Sequence, residues 1–267
     1  MRNWPDKHIK FTQVHGLNYR LFEGKIVVEV PVALSVNGKI WVTLICTPVD
    51  IDALAVGFLY NENIIDSMKD VKNIEISPVS RLVEVWLNKE VEKPSGWRIT
   101  SGCTGGVTAV VDKLKYNADC QVDGYQISSS EVISLSKELI EYQGLHQQVG
   151  GTHASALSDG EDLILVCEDI GRHNTIDKVI GKILIHSIDI KRKILLTTGR
   201  VSSEMLQKTA RFGALMIISL TSPTSLSIEM AQEIGITLIG YARGKKFNIY
   251  SHPERILITT NEKPIKT

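Results

Sequence analysis

The stretch 168–174 gathers more chemically capable side chains than any other part of the chain. It has the sequence EDIGRHN and supplies two carboxylates, a guanidinium, an imidazole and an amide within one short turn. The apolar run 163–167 precedes it, and apolar residues at helical spacing follow it from Ile176. This pattern predicts a buried strand that leads through a polar turn into an amphipathic helix. α/β proteins build ligand sites at such turns.

Two more turns of this kind follow predicted strands, TTGRVSS at 197–203 and TSPTS at 221–225. If the strands are parallel, all three turns lie at the same edge of a sheet. The helix N-termini there would offer backbone N–H groups and a positive dipole end to an anion. An arginine in each of the first two turns would add bidentate charge suited to phosphate, so we expect a phosphate-bearing ligand. The candidate contacts are Arg172, His173, Arg200 and Ser202.

The charged residues of the first turn also have a purely structural interpretation. Asp169, Arg172, His173 and Asp177 would form an ion network that caps the following helix. Such networks perturb titratable groups just as functional sites do, so the sequence leaves both interpretations open.

Cys103 is the candidate nucleophile. It lies in SGCTGG, where glycines on both sides leave the backbone mobile and the thiol uncrowded. A mobile, exposed cysteine suits a carrier that loads from one partner and unloads to another. Only the thiolate reacts, and a free thiol with a pKa of about 8.5 is only partly ionised at neutral pH. The alternative interpretation is an inert surface thiol in a glycine-rich loop.

The other cysteines are assigned by their surroundings. Cys46 and Cys167 lie within apolar strands and are expected to be buried and inert. Cys120 stands in a polar stretch and receives no role. Because no Cys-x-x-Cys pair is present, a zinc ribbon or a thioredoxin-type motif is not expected.

Two further basic features are ambiguous. His153, in GGTHASA at the start of a predicted strand, could orient a substrate or transfer a proton, or it could be a hydrogen-bonded structural histidine. In GYARGKK, the cations Arg243, Lys245 and Lys246 follow the last strand of the series. They could bind a phosphate or mark a solvated hairpin tip.

The elements around these residues differ between the two halves of the chain. In the first half, strands are expected at 26–34 and 40–46 around Asn37-Gly38, a strong hairpin signal, and a second pair at 71–76 and 82–87. Asp50 is expected to cap a helix that buries Leu54, Ala55, Phe58 and Leu59.

In the second half, strands and helices alternate, which predicts a layered α/β domain with a mostly parallel sheet. Helices are expected at 131–143, with Val132, Leu135, Leu139 and Tyr142 inward, and at 203–215 and 226–234. We expect a small α+β domain over 1–106, which ends in the Cys103 loop, and an α/β domain over 107–267.

The composition of the chain argues against several classes of function. The 267 residues carry 30 Lys and Arg against 30 Asp and Glu, so no global field attracts the chain to nucleic acid or to an anionic membrane. The apolar runs are too short to span a bilayer, and the polar start MRNWPDKHIKFTQ lacks the apolar core of a signal peptide. Few cysteines and no export signal favour the reducing cytoplasm.

Taken together, the motifs resemble the formate dehydrogenase accessory sulfurtransferase (FdhD) family. The matching segments are EVPVALSVNGK, SGCTGG, GGTHASAL, EDIGRHNTIDKVIG, TTGRVSSEM, SPTSL and GYARGKKFNIYSHPER. They extend from about Glu29 to Arg255, and the EDIGRHN and TGRVSSEM segments are long and distinctive.

The resemblance implies a cytoplasmic, homodimeric sulfur carrier. Such proteins take sulfane sulfur from a cysteine desulfurase as a persulfide and pass it to the molybdenum or tungsten bis(molybdopterin guanine dinucleotide) cofactor, before insertion into formate dehydrogenase. By motif, Cys103 resembles the persulfide-bearing residue. The larger domain would be similar to the cytidine deaminase fold, with three layers. The resemblance also implies that one segment holds the cofactor, namely Tyr241, Ala242, Arg243, Gly244, Lys245 and Lys246.

The chain departs from the family pattern at one place. Many members carry Cys-x-x-Cys where this chain has Cys103-Thr104-Gly105-Gly106, so the second thiol is absent, although a single persulfide is chemically sufficient. A deaminase is not expected, because the sequence lacks the His-x-Glu and Cys-x-x-Cys motifs that hold its zinc, and no metal site is predicted.

Two rival functions remain. The chain could be a chaperone that binds the cofactor without carrying sulfur, or a thiol hydrolase with Cys103 as nucleophile and His153 as base. The sequence does not distinguish molybdenum from tungsten, and it does not identify the desulfurase or the dehydrogenase.

Overall fold

The computed structural model of the protein describes residues 5–77, 79, 81–94, 97–99, 107–109 and 124–258, with 97–99 and 107–109 described by their backbone alone. Cys103 and Cys120 therefore lie outside the described residues. The described strands are β1 Asp6–His15, β2 Asn18–Val27, β3 Val30–Val36, β4 Lys39–Cys46, β5 Val71–Ser77, β6 Leu82–Leu87, β7 Trp97–Ile99, β8 Val107–Ala109, β9 Ile127–Ser128, β10 His153–Ser158, β11 Leu163–Asp169, β12 Ile194–Thr197, β13 Met216–Ser219, β14 Thr237–Arg243, β15 Lys246–Ser251 and β16 Ile256–Leu257. The described α-helices are α1 Ile51–Asn61, α2 Ser129–Glu141, α3 Gly144–Val149, α4 Arg172–Ile185, α5 Ser203–Arg211 and α6 Ser225–Ile234.

The chain forms two compact units of mixed α/β structure. The first comprises Met1–Lys113, Tyr142–Ser155 and Val166–Asp189, and the second comprises Leu114–Glu141, Ala156–Leu165 and Ile190–Thr267. The predicted domain boundary between 106 and 107 adjoins undescribed residues and stays a prediction.

The first unit contains a four-stranded sheet in the order β4-β3-β6-β5. Both predicted hairpin pairs are confirmed, since β3 pairs with β4 and β5 with β6 in antiparallel fashion. The turn between β3 and β4 holds Asn37 at φ 50° and Gly38 at φ 78°. Two successive left-handed residues are what a tight hairpin turn requires, and Asn-Gly adopts them at low cost.

Helices α1 and α4 of the first unit pack with their backbones in close contact. α1 is apolar on nearly every side and is buried from Ala53 to Tyr60, as expected for a helix inside a core. Gly57 faces the backbone of Asp177, and Gly181 faces the backbone of Ala53. A side chain at either glycine would occupy the space of the opposing backbone, so the crossing depends on both.

The second unit contains the parallel strands that the sequence predicts. The strands β12, β13, β14 and β15 of this unit are neighbours in that order, with β12, β13 and β14 parallel and β15 antiparallel to β14. Every residue of β12 and β13 is buried, which explains their unbroken apolar sequences. The cytidine-deaminase-like layering stays a prediction.

Three details of the sequence prediction are wrong. Asp50 precedes α1 as its N-cap, but it has φ 51° and makes no capping bond, and its carboxylate pairs with Lys182 at 2.8 Å. Tyr142 is 64% exposed because α2 ends at Glu141, before it. Helix α5 ends at Arg211, since Gly213 at φ 74° turns the chain out of the helix.

The N-terminal hairpin of β1 and β2 was not predicted from the sequence. The two strands pair along their whole length, from Asp6 opposite Val27 to His15 opposite Asn18. Most of their residues are exposed, although Ile9 and Phe11 alternate with polar residues as in a strand.

Candidate functional site

Two turns of the second unit meet at the carboxyl ends of its parallel strands, next to the last residues of β14. The turn after β12 and the turn after β13 are joined by hydrogen bonds from Val201 N–H to the Ser222 carbonyl (3.2 Å) and from Thr224 N–H to the Val201 carbonyl (3.0 Å). The end of β14 joins them, because Tyr241 N–H donates to the Thr221 carbonyl at 2.9 Å. Of the three turns predicted to share one edge, 197–203 and 221–225 therefore do so, while the third, 168–174, belongs to the first unit.

The same edge holds two helix N-termini. Ser202 is the N-cap of α5, and its hydroxyl accepts from Met205 N–H at 3.4 Å. Thr224 is the N-cap of α6 and forms a capping box with Ser227. The other first-turn N–H groups of a helix have no partner within the helix, and together with the positive end of the helix dipole they suit an anion.

The segment Tyr241 to Lys246 forms the end of β14, the turn and the start of β15. Arg243 pairs with Lys246 across the hairpin, and Gly244 occupies the left-handed region at φ 63°. Ala242 is buried, while Tyr241, Arg243, Gly244, Lys245 and Lys246 are exposed. The basic cluster therefore lies at a hairpin tip, which is one of the two interpretations of the sequence. The hairpin extends from the edge at which the turns meet.

The backbone at the start of this hairpin is constrained. Tyr241 adopts φ 54°, which is uncommon for a residue with a large side chain. The neighbouring Gly240 lies so close to the turn after β13 that an added Cβ would be 2.9 Å from Pro223 Cδ and 3.0 Å from the Thr221 carbonyl oxygen. Strained residues held by their surroundings are frequent in binding sites.

In the first unit, the EDIGRHN turn is organised around Asp169, which has no exposed surface. One carboxylate oxygen accepts from Gly171 N–H and from the Asn174 amide, both at 2.8 Å. The other accepts from Thr47 N–H at 3.0 Å and pairs with the Lys178 ammonium at 2.6 Å. Asp169 therefore lies in a buried ion pair, but its partner is Lys178, which the predicted network of Asp169, Arg172, His173 and Asp177 did not include. Asp177 instead accepts a hydrogen bond from the Asn61 amide at 2.6 Å.

Lys178 is itself fully buried and is satisfied on all sides. Besides its ion pair, its ammonium donates to the carbonyls of Thr47 and Glu168, each at 3.2 Å. A buried ion pair is tolerated only when hydrogen bonds replace the lost water, and here backbone carbonyls and amides do so.

Glu168, the neighbour of Asp169 on β11, binds a different segment. Its carboxylate accepts from the N–H groups of Leu145 and His146 at 2.7 Å and from the Thr152 hydroxyl at 3.2 Å. The imidazole Nδ1 of His146 lies 2.9 Å from the Thr152 carbonyl. Consecutive side chains of a strand point to opposite faces, so these two carboxylates fix two different segments.

His153 follows directly on the segment that Glu168 holds. It is half-buried, and burial lowers the pKa of its imidazole; Arg172 and His146 lower the pKa further, while Asp169 opposes them. Arg172 is only 6% exposed at the first turn of α4, where His173 is half-buried. The structure therefore brings His153 and Arg172 into one electrostatic environment in the first unit.

The cysteine predictions are confirmed where the structure describes the residue. Cys46 and Cys167 are both buried and unbridged. Burial raises the pKa of each thiol to about 12. Neither forms a thiolate at neutral pH, so neither suits a nucleophile. The prediction for Cys103 lies outside the described residues and remains to be tested.

Three parts of the first-unit network were not predicted from the sequence. Lys178 has the sequence appearance of an exposed helix residue, and Thr47 stands far away along the chain. Glu168 was noticed only as one member of a polar turn. The sequence signal for this network was the pair of acidic residues at the end of a buried strand. Two carboxylates there need hydrogen-bond donors from other segments of the chain.

Two features are not found among the described residues. No group of three or more His, Cys, Asp or Glu side chains in the described ranges is arranged to hold a metal ion. Likewise, no helix in the part of the chain that the structure describes is long and apolar enough to cross a membrane.

Comparisons with known proteins place the chain in a family. The model of the FdhD/NarQ family matches residues 27–257. The sulfur carrier protein FdhD of Bacillus subtilis is 38% identical over 238 residues, which cover 88% of this chain and 91% of the relative. The protein of the same name from Staphylococcus haemolyticus is 35% identical over 237 residues, with 87% and 90% covered.

A solved structure agrees with these matches. The crystal structure of a formate dehydrogenase accessory protein from Desulfotalea psychrophila superposes with a TM-score of 0.78 at 26% identity, and the match covers 95% of this chain and 100% of the other. The family resemblance drawn from the motifs is therefore confirmed, and the chain belongs to the FdhD/NarQ family.

Proposed function

We propose that the protein is a sulfur carrier in the maturation of formate dehydrogenase. It accepts sulfane sulfur from a cysteine desulfurase as a persulfide on Cys103. It then passes the sulfur to a molybdenum or tungsten bis(molybdopterin guanine dinucleotide) cofactor before that cofactor enters the dehydrogenase. The observation that carries the proposal is the family match over 27–257, together with relatives named as sulfur carrier proteins.

The acceptor thiol is assigned by elimination and by motif. Burial and the raised pKa of about 12 argue against Cys46 and Cys167. Of the two remaining cysteines, Cys103 lies in the SGCTGG motif between glycines. One thiol suffices for a carrier, because the persulfide forms and is removed on the same sulfur atom.

The edge of the second unit suits the acceptor cofactor. A bis-guanine-dinucleotide ligand carries two pyrophosphates, and the N-termini of α5 and α6 lie side by side there. Arg200 and Arg243 are exposed in segments that join this edge and would add bidentate charge for phosphate. In this proposal the cofactor is the substrate that receives the sulfur. We further propose a homodimer and a cytidine-deaminase-like arrangement of layers.

Intact mass spectrometry tests the sulfur-carrying step. Wild type and Cys103→Ala are incubated with a cysteine desulfurase and free cysteine, and a Cys120→Ala variant is the matched control. Wild type and the control should gain the mass of one sulfur atom that a reducing agent removes, and Cys103→Ala should gain none. Loading of Cys103→Ala to the wild-type level would refute the assignment.

Complementation separates the carrier from the chaperone. A strain that lacks the gene receives Cys103→Ser, and formate dehydrogenase activity is measured. A carrier loses activity with this variant, whereas a cofactor chaperone retains it.

Nucleotide binding tests the second-unit edge. GDP serves as a probe because it combines guanine with a pyrophosphate, and Arg200→Ala and Arg243→Ala are compared with Arg211→Ala, at the opposite end of α5. Loss of one charged hydrogen bond of about 1.5–3 kcal/mol should weaken GDP binding roughly 10- to 100-fold in the first two variants alone. Equal affinity in all three would contradict the proposed site.

A further inference from the structure

We propose that two buried hydroxyls, those of Thr197 and Ser219, are positioning groups that fix Arg200 for the pyrophosphate of the cofactor. The inference rests on the proposed function, because Arg200 contacts the cofactor only in that proposal. It goes beyond that function by assigning the geometry of the contact to two residues with no exposed surface. All three residues belong to the second unit.

The two hydroxyls lie at corresponding positions of neighbouring strands. Thr197 ends β12, Ser219 ends β13, and the two residues are partners in the parallel register. Both side chains bind Gly199, the residue before Arg200. The Thr197 hydroxyl accepts from the Gly199 N–H at 3.1 Å, and the Ser219 hydroxyl donates to the Gly199 carbonyl at 2.8 Å. Both polar backbone groups of Gly199 are therefore bound by side chains from the ends of buried strands.

The residue after Arg200 is fixed as well. Val201 is buried and forms a single parallel bridge with Pro223, beyond the last paired residues of β12 and β13. The Ser227 hydroxyl also donates to the Val201 carbonyl at 2.9 Å. Arg200 is therefore an exposed residue between two buried neighbours whose backbones are both anchored.

Ser219 also connects this turn to the next one. Besides its bond to Gly199, its hydroxyl accepts from the Thr221 N–H at 2.9 Å. Water cannot replace these bonds at a fully buried position, so alanine there leaves a carbonyl of one turn and an N–H of the other without this partner. The turn with Arg200 is then free to shift against the turn after β13. A bidentate guanidinium contact to phosphate depends on such placement, because both of its hydrogen bonds must align.

The test is the affinity for GDP, measured by isothermal titration calorimetry for wild type, Ser219→Ala and the matched control Ser251→Ala. The Ser251 hydroxyl makes the same two kinds of bond, since it accepts from Leu238 N–H at 2.9 Å and donates to the Ile236 carbonyl at 2.7 Å. It is equally buried but lies on β15 opposite the start of β14, away from the edge where β14 ends. We expect Ser219→Ala to bind GDP roughly 5- to 10-fold more weakly than wild type and Ser251→Ala to bind like wild type.

Thermal unfolding and a double variant separate positioning from a general loss of stability. Ser219→Ala and Ser251→Ala should lower the Tm by similar amounts, because each loses the same kinds of hydrogen bond. Since Ser219 acts through Arg200, Ser219→Ala should weaken GDP binding by less than about twofold when Arg200 is already alanine. An equal loss with and without the Arg200 guanidinium would overturn the inference.

The outcomes distinguish this inference from the proposed function. If Arg200→Ala weakens GDP binding but Ser219→Ala binds like wild type, the inference is wrong and the proposed cofactor edge stands. If Arg200→Ala binds GDP as tightly as wild type, Arg200 is not a cofactor contact and both fail.

Thr197→Val gives a second measurement if Ser219→Ala does not fold. It removes the hydroxyl that binds the Gly199 N–H while keeping the shape of the side chain. The same weakening of roughly 5- to 10-fold is expected, and again it should vanish when Arg200 is alanine. Wild-type affinity for GDP in Thr197→Val would overturn the inference.

Discussion

Substitution of Gly57 or Gly181 by alanine should force helices α1 and α4 apart. A Cβ at Gly57 would lie 2.6 Å from the carbonyl carbon of Asp177, and a Cβ at Gly181 would lie 2.6 Å from the carbonyl carbon of Ala53. Real Cβ atoms essentially never approach another heavy atom closer than 3.0 Å. The obstacle is backbone on both sides, so no side-chain rotation relieves it, and the helices must separate by about 1 Å.

The size of the effect follows from two opposing contributions. Overpacking a core costs about 1–3 kcal/mol, and a backbone-on-backbone clash belongs at the upper end. Alanine in place of glycine returns about 1 kcal/mol of helix propensity. We therefore expect each variant to lose about 2 kcal/mol, which corresponds to a fall in Tm of roughly 4–8 °C for a protein of this size.

Thermal unfolding followed by circular dichroism measures the loss. Gly144→Ala at the start of α3 is the matched control, because no atom lies within 4 Å of its added Cβ. Its Tm should be unchanged or slightly raised. Since both clashes open the same gap, the double variant should lose clearly less than the sum of the two single losses. A Tm for Gly57→Ala equal to that of Gly144→Ala would refute the reasoning.

Three further predictions concern stability. Lys178→Met leaves the Asp169 carboxylate unpaired in the core and should lower the unfolding free energy, measured in urea, by about 3–5 kcal/mol. Lys182→Met, whose ion pair is partly exposed, should lower it by no more than about 1 kcal/mol. Equal losses in the two variants would contradict the burial argument. Because His153 has a lowered pKa in the folded chain, the unfolded chain binds its proton first. Acidification from about pH 7 through 6.5 should therefore reduce the unfolding free energy of wild type more than that of His153→Gln. Parallel curves of unfolding free energy against pH for the two proteins would contradict this expectation. Thr224→Ala removes the cap of α6 and should cost about 1 kcal/mol of unfolding free energy, while an unchanged Tm would mean that the cap contributes nothing.

The elements with strong local signals could be predicted from the sequence. Asn37-Gly38 specified a hairpin because few other dipeptides adopt two left-handed residues in succession. The parallel strands β12 and β13 were recognisable from apolar runs bounded by polar turns. The hairpin of β1 and β2 was not predicted, because the alternation around Ile9 and Phe11 is short and most of the hairpin is exposed.

The networks of the first unit depended on contacts far apart along the chain. Thr47 N–H donates to Asp169 across 122 positions, and no local pattern announces such a pair. The motif 168–174 predicted a site, but it did not reveal that Asp169 pairs with Lys178 and that Glu168 binds another segment. Residue types suggest a chemistry, whereas the partners that restrict it emerge only from the fold.

The placement of Glu168 and Asp169 next to each other explains why so many polar side chains are assembled in one turn. Because neighbouring strand residues face opposite ways, a single strand end fixes the segment that leads to His153 and the turn that holds Arg172. Moving either carboxylate by one position would direct it to the wrong face. The acid pair at the end of β11 therefore fixes two segments that are distant from each other along the chain.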